Sequence, residues 1–176
     1  MGMYGLLCAL SAKRHALMEE DPALLFDLQD PNGPEMRGLL RLGKAWHALD
    51  ILVSRDGDDP VLGDAVLART GKSMKAEGAY GKAQFLAPAR VAKVAAALAR
   101  LPASLIRDCY GELYGKNVHG NYGQETCAPD EVAFIREQVA EAQNTEIGEL
   151  DAKFAKLRAL YAAAAKAGEG MMAIVY

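Results

Sequence analysis

Two stretches of the chain are continuously apolar, and they lie at its two ends. Residues 3–10 and 171–176 carry no charge and are bounded by glycine or serine. A short run with no polar face predicts a strand buried on both sides. Between them, apolar residues recur mostly at helical spacing. Ser11 predicts an N-cap for a helix through Glu20. Asp21 and Pro22 predict the start of a second helix, with Pro22 in its first position and Leu24, Leu25 and Leu28 on its apolar side. The cluster Asp30-Pro31-Asn32-Gly33-Pro34 predicts a loop.

Residues 42–54 predict a third helix. At about 100° per residue, Ala45, Trp46, Leu49, Leu52 and Val53 share one arc, while Lys44, His47 and Asp50 fall on the other side. An acidic loop with Gly57 ends it, and residues 61–68 predict a short helix. Residues 70–78 are polar and glycine-bounded and read as an exposed loop. Residues 83–86 predict a short strand. Pro88 then opens a helix on which Val91, Val94, Leu98 and Leu101 repeat. Residues 102–110 predict another short helix.

Residues 111–124 are glycine-rich, with Tyr114 and Tyr122 and no period. Long loops of that kind are often functional. Pro129 begins a helix on Val132, Ile135 and Val139, and residues 144–149 form a polar break. Leu150, Phe154, Leu157, Leu160 and Tyr161 mark a last amphipathic helix. The expected architecture is a single α+β domain over residues 1–176. A mixed sheet that includes both chain ends is flanked by helices in α/β/α layers.

Composition adds limits. The 176 residues are 51% hydrophobic and 24% charged, an ordinary globular balance. A formal charge of −3 and a pI near 5.6 argue against a basic stripe, so no nucleic-acid partner is expected. No apolar run approaches the roughly 20 residues of a membrane helix, so no membrane partner is expected. No basic segment precedes the first apolar run, as a secretion signal requires. The odd set Cys8, Cys109 and Cys127 then implies reduced thiols in the cytoplasm.

Familiar chemical motifs are incomplete. Gly71-Lys72-Ser73 resembles the end of a phosphate loop, but Val66 stands where the first glycine belongs. Cys109, His119 and Cys127 are spread too widely for a usual zinc pattern, and no metal ligand is assigned. No serine sits in a nucleophile elbow. His47 and Asp50 are three apart on a helix, so their side chains can meet. A carboxylate on one ring nitrogen would leave the other as an acid or base, with Lys44 beside the pair. The same spacing describes a solvated helix face. Trp46 reads as a core anchor whose indole N–H needs a partner.

Lys44-Ala45-Trp46-His47-Ala48-Leu49 and Tyr80-Gly81-Lys82-Ala83-Gln84-Phe85-Leu86 carry a resemblance. With Met1-Gly2-Met3, Leu160-Tyr161 and the C-terminal strand, they make the chain similar to the bacterial YfbM-like family, a domain of unknown function. That family has Tyr-Gly-Pro-Ala-Arg-Tyr-Leu where this chain has Lys82, Gln84 and Phe85 as departures. The resemblance implies a compact α/β domain and maps Lys44, Trp46, His47, Tyr80 and Gly81 onto family motifs. It implies no reaction and no cofactor.

The expected function is a cytoplasmic binding or interaction module for a protein partner or small polar ligand. Lys44, Trp46, Tyr80 and Gly81 are its candidate ligand-binding residues. The alternative is an enzyme of unknown class with His47 and Asp50 as an acid–base pair in a pocket. A third reading is a metal-dependent hydrolase using Cys109, His119 and Cys127.

Overall fold

Gly5–Leu10 forms strand β1, buried at every position. Ser11 follows it, and its hydroxyl accepts from the Arg14 amide at 3.3 Å. That cap starts α1, Ala12–Glu20. The computed structural model describes residues 3–29, 37–54, 59–110 and 129–176, with side chains from residue 144 onward in the last segment. The breaker cluster at 30–34, most of the acidic loop and the glycine-rich stretch at 111–124 lie outside the described residues.

The second helix, α2, is Leu24–Gln29. It starts two residues later than Pro22 predicts. The Asp21 carboxylate instead accepts from the Ala23 amide at 3.1 Å, which turns the chain before the helix begins. Leu39–Gly43 forms β2, a strand not expected from the pattern. Leu40 and Leu42 alternate inward on it, a period of two over only five residues. Gly43, at φ +61°, reverses the chain into α3, Trp46–Ser54. The helix predicted from residue 42 therefore begins later.

Next come α4, Asp64–Leu67, and the hairpin of β3, Lys72–Gly78, and β4, Gly81–Leu86. Residues 70–78 are thus a strand and a lead-in to it, not a loop. Met74 and Ala76 alternate inward while the polar neighbours face out, the pattern of an edge strand with one wet face. Helix α5 is Pro88–Arg100, with Val91, Val94, Ala97 and Leu98 buried, and α6 is Leu105–Cys109. Helix α7 runs unbroken from Pro129–Ala167, so the polar stretch at 144–149 does not interrupt it. Buried Tyr110 donates to the Glu146 carboxylate at 2.5 Å within that stretch, tying it to the end of α6. Gly170–Val175 is β5.

The sheet order is β2-β1-β5-β4-β3. Both chain ends sit inside it, as their lack of a polar face predicts. Every pairing is antiparallel, where a mixed sheet was expected. Helices cover both faces. Leu7, Ala9, Met171 and Ala173 meet residues of α3 to α7 in the larger core. Leu6, Cys8, Leu10, Met172 and Ile174 meet Met18, Leu25 and Leu28 of α1 and α2 in the smaller one. No helix among the described residues is long and apolar enough to cross a membrane.

Candidate functional site

The head of α3 carries the residues that the sequence singles out. Trp46 packs against β1: a Cβ built on Gly5 would lie 2.4 Å from the Trp46 Cβ. Only a residue without a side chain lets the helix start this close to the strand. The indole N–H donates to the Met3 carbonyl at 3.3 Å, so Trp46 is a half-buried anchor with a satisfied polar edge. Lys44 and His47 are exposed, and the His47 ring meets Trp46 edge-on at 5.4 Å.

Asp50 does not lie on the solvated side where the helical arc places it. It is buried, and its Oδ2 accepts from Arg69 Nη2 at 2.5 Å. Arg69 reaches it from the turn after α4. Ser54, also buried, donates to the Asp50 backbone carbonyl at 2.6 Å.

A second carboxylate is buried nearby. Asp64 opens α4 and is fully enclosed. Its Oδ1 accepts from the Thr70 amide, and its Oδ2 accepts from the Thr70 hydroxyl and from Arg90 Nε. Arg90 Nη2 also donates to the Pro60 carbonyl at 2.7 Å. Tyr161 on α7 donates to the Asp64 backbone carbonyl at 3.1 Å. Burial pushes the Tyr161 hydroxyl far above the usual phenol range, and the Asp64 charge pushes the same way. Ala68 makes the arrangement possible. It adopts φ 50°, and this left-handed turn brings Thr70 back onto Asp64. Buried charges persist when they are paired, and through Arg69 and Arg90 these carboxylates link α3, α4 and α5.

Tyr80 and Gly81 lie in and beside the tight turn between β3 and β4. Gly78 pairs with Gly81 across it, and Gly81 takes φ +132°. Tyr80 is half exposed. With Leu67, Lys82 and Gln84 the two line a shallow hollow of about 170 Å³. It is separate from the head of α3 in the lining residues that define it.

Sequence reasoning missed a larger cavity of about 360 Å³ at the edge where β1 ends and β5 begins. Arg14 of α1, Arg37 ahead of β2 and Glu169 ahead of β5 line it, over a floor of Ala9, Leu160 and Ala164. Neither arginine makes an ion pair among the described residues. The three charged residues are 155 positions apart at their extremes (169 − 14), and no spacing rule joins them. Cys8 lies close by. Burial pushes its thiol up to about 11, with Arg14 drawing it down and Glu169 raising it.

Cys109 is half-buried and a free thiol. His119 and Cys127 lie outside the described residues. Among the described residues no three His, Cys, Asp or Glu side chains gather as metal ligands would.

A family model described as a domain of unknown function, DUF1877, matches residues 1–174. The chain belongs to this family. Among solved structures it is similar to YfbM from Escherichia coli, a protein of unknown function. The two share 16% identity over 98% of this chain and 99% of that one, with a TM-score of 0.58. That likeness shows a shared fold. The search of curated proteins gives no match. This chain combines two buried carboxylates, Asp50 and Asp64, each bonded to an arginine, with an arginine-lined cavity at the end of the sheet where β1 ends and β5 begins.

Proposed function

We propose that the protein is a binding module of the bacterial cytoplasm that takes a small anionic ligand in the cavity of Arg14 and Arg37. One observation carries this reading. Two arginines without an ion-pair partner among the described residues face a single cavity of about 360 Å³, a size typical of small-molecule sites. Arginine presents a planar fork of donors suited to carboxylate or phosphate. The apolar floor of Leu160 and Ala164 suits a ligand with a hydrocarbon part, and Glu169 suits a donor group on the same ligand. The free thiols of Cys8 and Cys109 fit a reducing compartment.

Lys44, Trp46 and His47 remain in the proposal as a polar surface for a partner, and Tyr80 with Gly81 as the rim of a minor hollow. The alternative, an enzyme with His47 and Asp50 as an acid–base pair, draws less support. Asp50 is buried against Arg69, whereas His47 is exposed.

Titration calorimetry with small carboxylates and phosphates tests the reading. The wild type should bind at least one class, more weakly as salt rises, and Arg14→Ala/Arg37→Ala should lose that binding. Equal binding by the double variant would sink the proposal.

A further inference from the structure

Arg41 sits on the edge strand β2, opposite Leu6 in the register of β1. Its side chain therefore lies over the smaller core, on the face that α1 and α2 cover. Its Nε and Nη2 are both buried, and neither has a hydrogen-bond partner among the described residues. Those two N–H groups point the same way within the guanidinium plane. Together they form the edge that receives a carboxylate with two parallel bonds.

A third orphaned donor lies in the same region. Gln29 Nε2, at the end of α2, is buried and has no hydrogen-bond partner among the described residues. Tyr176 connects the two residues. Its hydroxyl donates to the Gln29 backbone carbonyl at 3.0 Å. A Cβ built on Gly78 would lie 3.4 Å from Gln29 Nε2 and 3.1 Å from the Tyr176 Cβ, so amide and tyrosine share one wall. Burial raises the Tyr176 hydroxyl above the usual phenol range, while the Arg41 charge draws it down and Tyr4 raises it. The Tyr4 ring is tilted against Tyr176 at 6.1 Å and is 42% exposed, so the cluster lies at the rim of the sheet.

A buried donor left unpaired is destabilising, and a buried cation more so. No carboxylate among the described residues answers Arg41. We propose that Arg41 and Gln29, beside Tyr176, form a second ligand site that takes the carboxylate of a small organic acid. The Arg41 edge holds both carboxylate oxygens, and the Gln29 amide gives a third bond. The site is independent of the Arg14 and Arg37 cavity.

Thermal midpoints in sodium acetate and in sodium chloride at equal ionic strength test this. Wild type and Arg14→Ala/Arg37→Ala should both show a saturable upward shift with acetate. Arg41→Met, which removes the charge but keeps an apolar stem, should show none. Arg41→Lys keeps the charge without the fork and should weaken the acetate effect by about tenfold. Gln29→Leu should also weaken it. An equal shift with chloride, an acetate shift that survives in Arg41→Met, or no acetate shift in the wild type would each overturn the site. Loss of the shift in Arg14→Ala/Arg37→Ala alone would overturn it too, by assigning acetate to the other cavity.

Discussion

Arg90 donates through Nε to Asp64 Oδ2 at 2.5 Å, and the carboxylate that receives it is fully buried. The two side chains come from α5 and α4, so the bond joins helices that the chain separates by the whole β3–β4 hairpin. Removing one partner leaves the other charge poorly compensated. Arg90→Met should destabilise the protein by about 3–5 kcal/mol in chemical denaturation. Adding Asp64→Leu should recover part of that loss, because the unpaired buried charge is gone. A strictly additive double variant would refute the coupling.

Tyr161 supports the same unit from α7. Tyr161→Phe removes one hydrogen bond to the Asp64 carbonyl and keeps the ring in place. The expected loss is about 1 kcal/mol, read from the denaturation midpoint.

Gly5 and Trp46 set the contact between β1 and α3. Gly5→Ala should destabilise by about 1–3 kcal/mol through overpacking. The clash is with the Trp46 Cβ, so Trp46→Ala should not relieve it. Rescue by Trp46→Ala in a double variant would show that the indole, not the backbone approach, is the constraint. Trp46→Ala alone should cost less than the roughly 3–5 kcal/mol of a fully enclosed aromatic, since Trp46 is half-buried.

Cys8 predicts alkaline sensitivity. Its thiol titrates near 9.0 when free and is pushed up to about 11 by burial in the folded protein. Above pH 9 the unfolded chain releases a proton that the folded chain keeps. The stabilisation is therefore complete below pH 9 and is lost as pH rises towards 11. The loss is about 3 kcal/mol at one pK unit per 1.36 kcal/mol. Cys8→Ala should flatten the stability curve between those pH values. A curve unchanged by the substitution would count against a buried, proton-holding thiol. Tyr161 and Tyr176 shift in the same direction, and their contributions begin to be lost above pH 10, within the upper part of the Cys8 window.

His47→Ala should change stability by less than about 1 kcal/mol, because the side chain is exposed. A larger loss in thermal denaturation would mean that the ring holds the start of α3 in place.

Local pattern was enough for elements that are apolar on all sides or strongly periodic. The strands at the two chain ends, the capped helix after Ser11 and the helix opened by Pro88 follow from residue type alone, because burial on every side or on one stripe leaves a regular signature. The edge strands β2 and β3 leave a weak one. β2 has only five residues, and one face of β3 is wet, so Met74 and Ala76 are its whole inward signal. The continuity of α7 through residues 144–149 was not legible either, since Tyr110 meets Glu146 only after α6 has docked.

The candidate sites divide in the same way. Sequence placed Trp46 as an anchor and Tyr80 and Gly81 next to a strand. It put Asp50 in water, because a helical arc cannot register Arg69 arriving from another turn. The α+β class, the internal position of both chain ends and the membership in DUF1877 were determined by the order of residues along the chain. Which charges meet was decided by tertiary structure alone. Arg14 with Arg37, Asp64 with Arg90, and Arg41 beside Tyr176 are brought together by the packing of helices on a sheet, and electrostatic contact depends on distance in space rather than on spacing in sequence.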